Sequence, residues 1–79
     1  DSVIQGIVTA SRWGESHQVT RVTIETPTEE GFDVDLSQEP GPALQKLLRQ
    51  RVEVVGQVGE DEDGRKVIHV RSFRVMQYR

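Results

Sequence analysis

Four carboxylates stand in a row at Glu60-Asp61-Glu62-Asp63, followed by Gly64. Hard cations such as calcium take oxygen ligands of this kind. A calcium loop of the EF-hand type needs a longer ligand series ending in Glu, and this stretch has none. Turn chemistry explains the same residues, with Asp63-Gly64 supplying the tight bend of a hairpin, and that reading stands first. Asp33 and Asp35 are spaced to share one strand face, with Glu25 across from them. Paired carboxylates can share a proton or hold a cation, yet a solvated sheet face carries such residues as a matter of course. His17 and His69 have no ligand partner at metal-binding spacing, and a solvated or cross-strand role is expected for His69. Ser11, Ser16, Ser37 and Ser72 belong to no nucleophile motif. No acid–base pair, nucleophile or metal cluster can be assembled, so the expectation is a protein without catalytic activity, metal or cofactor.

Recognition is the remaining chemistry. Trp13 follows Arg12 at the start of a loop that holds Gly14 and His17. An exposed Trp stacks on a nucleic-acid base at about 1–3 kcal/mol; the alternative is packing over the end of a sheet. Eight of the ten basic residues are Arg, the side chain that stacks and forks better than Lys. Arg12, Arg21, Arg71 and Arg74 fall on strands or strand ends and would form an anionic-ligand patch if they met on one face. Arg21 beside Glu25, Asp33 and Asp35 would instead make cross-strand ion pairs, an outcome that needs no ligand and ranks higher.

The whole-chain balance bears on partners. Net charge is −3 over 79 residues. A nonspecific nucleic-acid binder draws most of its affinity from phosphate neutralisation and normally carries a basic excess, although a local patch outweighs the sum. The chain is one small domain, 1–79, with 34% hydrophobic residues and few aromatics. Its core must come from Val, Ile and Leu, with Phe32 and Phe73 on apolar registers. Cysteine is absent, so packing alone must hold the fold. That leans toward a reducing compartment, and an envelope domain without disulfides fits as well. No apolar run approaches the roughly 20 residues of a membrane span, and no signal pattern is visible. The chain begins at Asp1 rather than Met, as a removed signal, a removed tag or an excised domain would each explain.

The elements that must position these residues read as short strands. "VIQGIVTASR" (3–12) is rich in β-branched residues, and Gly6 within it marks a bulge or bend. "VTRVTIET" (19–26) alternates, with Val22 and Ile24 on one face and Arg21, Thr23 and Glu25 on the other. "FDVDL" (32–36) places Phe32, Val34 and Leu36 inward. Pro42 and the spacing of Leu44, Leu47 and Leu48 predict one short helix over about 42–49. "RVEVVGQVG" (51–59) is a strand with a bend at Gly56. The final strand, 65–76, slips register between Ile68/Val70 and Phe73/Val75, which predicts a bulge near Arg71–Ser72.

The order β-β-β-α-β-β, with "VIQGIV" as a bent first strand, "VTIET…FDVDL" as strands two and three and "PALQKLLRQRVEVVGQV" as helix into strand four, resembles the OB-fold, as small stand-alone bacterial OB domains carry it. The resemblance implies an all-β, five-stranded Greek-key barrel with one short helix between strands 3 and 4. It implies a ligand across strands two and three, flanked by the loops joining strands one to two and four to five. Those places are Arg21, Thr23, Glu25, Asp33 and Asp35, then Arg12 to His17, then Glu60 to Arg65; Arg12, Trp13, His17, Arg21, Thr23 and Arg65 become the expected ligand-binding residues. The expected function is a binding module for single-stranded nucleic acid. The competing expectation is a protein-interaction, small-ligand or cation-binding domain of the bacterial envelope, supported by the acidic balance and the Glu60–Asp63 tip.

Overall fold

The computed structural model describes residues 1–15 and 19–76, and of Arg12, Trp13, Val19 and Thr20 the backbone alone. His17 and Tyr78 lie outside the described residues. Five strands form where β-branched residues alternate with polar ones: β1 (Ser2–Trp13), β2 (Val19–Glu25), β3 (Gly31–Val34), β4 (Arg51–Glu60) and β5 (Lys66–Val75). The sheet closes on itself in the order β1-β2-β3-β5-β4. The β3–β5 junction is parallel and every other pairing is antiparallel. The chain is all-β apart from one short helix between β3 and β4.

Strand β1 serves two neighbours. Ser2–Ile7 pairs with β4, and Ile7–Trp13 pairs with β2. The register runs unbroken through Gly6, so the glycine marks a change of partner rather than a bulge. A Cβ at Gly6 would stand 2.8 Å from the carbonyl carbon of Glu25, closer than side-chain carbons normally approach. The bulge expected in the last strand is present: Val55 pairs with Ser72 and Gly56 with Val70, leaving Arg71 unmatched.

Inside the ring sit Ile4, Val8, Val22, Ile24, Phe32, Val34, Val52, Val54 and Ile68, joined by Leu44 from the helix. Phe73 packs against this cluster only partly buried, short of the full core position its register predicts.

Two boundaries differ from expectation. The helix is a 3-10 helix over Gly41–Lys46, not a longer one reaching 49. Its bonds run three residues back, Ala43 N–H to Pro40 and Leu47 N–H to Leu44, so Leu44 alone turns fully into the core, while Leu47 and Leu48 pack at its margin. Gly41 fits tightly, since a Cβ there would stand 3.2 Å from the Asp35 carbonyl carbon. Strand β3 ends at Val34 rather than Leu36. Asp35 Oδ1 accepts bonds from the Ser37 backbone N–H (2.9 Å) and hydroxyl (2.6 Å), a local turn that competes with continued ladder pairing.

Candidate functional site

The outer surface of β2 and β3, with the foot of the β4–β5 hairpin, gathers most of the polar side chains singled out from sequence. Thr23 and Asp33 are Cα partners across β2 and β3. Thr23 Oγ1 lies 3.2 Å from Asp33 Oδ1 and 3.0 Å from Ser11 Oγ on β1. Arg21 Nε reaches to 4.0 Å from Asp33 Oδ2, and Arg65 Nη1 to 3.9 Å from the same oxygen. Both separations exceed hydrogen-bonding distance, so the two guanidinium groups are attracted to Asp33 without spending their N–H donors on it. Asp33 is largely covered, its side chain 14% exposed, while Arg65 is 57% exposed.

Beside this triplet, Lys66 Nζ contacts Glu30 Oε2 at 2.6 Å and stands 5.5 Å from the centroid of the Phe32 ring. The contact with Lys66, first by hydrogen bond and then by charge, holds the Glu30 carboxyl below its ordinary value. Thr23, Gly31, Asp33, Arg65 and Lys66 line a shallow depression of about 240 Å³. Gly31 lines the depression without a side chain; a Cβ there would stand 3.4 Å from Thr23 Cγ2.

The other sequence-selected residues divide. Arg12 is the Cα partner of Arg21 and Trp13 of Val19, with register shifts on both sides of Arg12. Their side chains, like all of His17, lie outside the description. Arg71 and Arg74 do not join the patch. Arg71 pairs with Asp1, and Arg74 Nε contacts Glu53 Oε1 at 3.1 Å. The higher-ranked expectation for Arg21, a cross-strand ion pair, is what forms. Lys66 and Glu30 were not singled out, and the position of Lys66 beside Arg65 at the start of the last strand was the signal available.

The acidic tip is built as a turn. Asp61 N–H donates to the Arg65 carbonyl (2.9 Å) and Gly64 N–H to the Asp61 carbonyl (3.1 Å). Asp61 Oδ1 takes the N–H groups of Asp63 and Arg65, each at 2.9 Å. Gly64 has φ +80°, the left-handed position of a three-residue hairpin loop rather than a two-residue one. Among the described residues no group of three or more His, Asp or Glu is placed to hold a metal ion. His69 Nδ1 lies 2.8 Å from Asp35 Oδ2, the cross-strand role expected of it. The Ser37 hydroxyl first, then its N–H and His69, hold the Asp35 carboxyl below its ordinary value.

No family model, curated protein or solved structure matches this chain. No helix among the described residues is long and apolar enough to cross a membrane.

Proposed function

We propose that this chain is a non-enzymatic binding module of the OB type, taking its ligand across the outer wall of β2 and β3 and the foot of the β4–β5 hairpin. One observation carries the reading: the ring order β1-β2-β3-β5-β4, with a parallel β3–β5 closure and a helix between β3 and β4, supports a five-stranded Greek-key arrangement of the OB kind. Fold-level likeness is an analogy for function, so the ligand class rests on the wall. Single-stranded nucleic acid is the first reading. Arg21, Arg65 and Lys66 line the wall, and the ladder sets Arg12 opposite Arg21. A backbone of phosphates crossing from β2 over β3 to the hairpin foot would meet the three cations Arg21, Arg65 and Lys66.

A protein partner is the second reading, and a separate observation favours it. Each described cation on the wall already faces a carboxylate, Asp33 or Glu30, a mixed-sign pattern suited to another polypeptide rather than to an unbroken phosphate track. Titrating Trp13 fluorescence with oligo-deoxythymidine decides between them. The nucleic-acid reading expects a saturable change at low salt that fades at moderate salt. A flat signal at low salt removes it and leaves the protein reading standing.

A further inference from the structure

A second surface, on the opposite margin of β1, has the makings of a peptide site. Residues Val3 and Gln5 carry it, and the reason begins with the ladder. Val8 donates its N–H to the Gln50 carbonyl and accepts from Arg49 N–H, so its backbone groups point to the β4 side. Along a strand such groups alternate, and Ile4 and Gly6 therefore also point to β4. Val3, Gln5 and Ile7 point the other way, toward the lane of β2. Strand β2 fills that lane only from Ile7, which pairs with Glu25. Continued pairing would bring Pro27 opposite Gln5, and proline has no N–H to give. The chain instead turns away, with Thr26 N–H bonded to the Glu30 carbonyl and Glu29 N–H to the Thr26 carbonyl.

Among the described residues, no strand pairs in the lane beside Ser2–Gly6. No described residue supplies a backbone bond to Val3 or Gln5 from that side. Val3 is 61% exposed, the most exposed large apolar residue described, and Ile7 is 40% exposed. Natural edges are usually blunted by charge, proline or a bulge; Ser2, Val3, Ile4, Gln5 and Gly6 supply none of these. A wedge of about 290 Å³ opens at the inner end of the lane, lined by Gln5, Ile7, Glu25, Pro27 and Arg51.

We infer that this lane receives an extended peptide segment of a partner protein as an added strand, bonded to the N–H and C=O groups of Val3 and Gln5. One apolar side chain of the segment lodges in the wedge against Ile7 and Pro27. Backbone bonds supply affinity in such additions and a side-chain pocket supplies selectivity. Glu25 and Arg51, of opposite charge, both line the wedge, so its lining carries no net charge against an uncharged side chain. A second copy of this chain is the poorer occupant, because a five-residue edge paired with itself falls well short of the roughly 1,200–2,000 Å² of a stable interface. The site is separate from the β2–β3 wall and does not depend on its ligand.

The test selects peptides from a random heptapeptide phage library on the full chain, then measures the winners against wild type and Gln5→Pro. This substitution removes an N–H that faces the lane and leaves the Ile4 and Gly6 bonds to β4 in place. Expected are peptides that bind wild type, lose about tenfold in Gln5→Pro, as one lost backbone bond warrants, and slow the hydrogen exchange of the Val3 and Gln5 amides. In the free wild-type protein those two amides exchange fast while Ile4 and Gly6 are protected, a measurement that needs no variant. Protected Val3 and Gln5 amides in the free monomer overturn the inference, as do a library without winners, or winners that bind Gln5→Pro equally. A dimer in sedimentation that Gln5→Pro dissociates assigns the lane to a second copy and overturns it as well.

Discussion

Asp33→Asn is the perturbation that weighs the two charges of the wall against each other. Asp33 is mostly covered and sits 3.9–4.0 Å from Arg65 and Arg21. A phosphate seated in the depression would lie at a similar distance from this carboxylate. Two unit charges about 4 Å apart interact by about 1 kcal/mol in bulk water and about 4 kcal/mol at an effective dielectric constant of 20. Salt screens the repulsion further, so the lower part of that range applies, about 1–2 kcal/mol. Exposed ion pairs contribute about 0–1 kcal/mol to stability, and asparagine still accepts from Thr23, so the variant stays folded. Oligo-deoxythymidine should therefore bind Asp33→Asn about tenfold more tightly than wild type. The salt slope should steepen by about 0.7 for each arginine that moves from Asp33 to a phosphate. Fluorescence anisotropy with labelled oligonucleotide across a salt series measures both. Adding Arg65→Ala to Asp33→Asn should cancel most of the gain. Equal or weaker binding by Asp33→Asn would refute the reasoning, since Asp33 would then not be competing with the ligand for the arginines.

Two further outcomes test the frame that carries the wall. Gly56→Ala places a Cβ 2.9 Å from the His69 carbonyl carbon, backbone that cannot swing aside; a loss of about 1–3 kcal/mol is expected in urea denaturation, and an unchanged midpoint would show that the bulge absorbs the methyl group. Asp35 has a carboxyl held below its ordinary value of 3.8 by Ser37 and then His69. Its folded pKa lies under the unfolded one, so its contribution is complete above the unfolded value and disappears as the pH falls through the folded value. Asp35→Asn should be less stable than wild type at neutral pH, with the difference shrinking in acid; parallel stability curves down the acid limb would contradict this.

Much of the frame is readable from local period. Val22 and Ile24, or Phe32 and Val34, alternate with polar residues and go inward as a strand dictates. The slip between Ile68/Val70 and Phe73/Val75 announces the Arg71 bulge, because an extra residue resets the in–out alternation of a strand. The helix is less legible. Leu44, Leu47 and Leu48 fit an α-helical stripe, but the chain between β3 and β4 spends its length on a tight 3-10 segment under Gly41. Contacts across the closure are not legible at all. Lys66–Glu30 and His69–Asp35 join residues 36 and 34 positions apart, and only the parallel meeting of β3 and β5 brings them together. Arg21, Thr23 and Arg65 were found by position on an expected groove, whereas the placing of Asp33 between two arginines depends on the hairpin foot folding back over β3.

The β3–β5 closure has a kinetic consequence. It consists of two residue pairs, Asp33 with Val67 and Val34 with Ile68, and the Asp35 N–H bond to Ile68, against nine pairs along the β4–β5 hairpin. A ring breathes first at its thinnest seam, and this seam runs through the floor of the 240 Å³ depression. Each opening would part Asp33 from Arg65 and unclasp His69 from Asp35. The rate at which the ring unzips there would set an upper limit on how long any guest bridging β3 and the hairpin foot could be held.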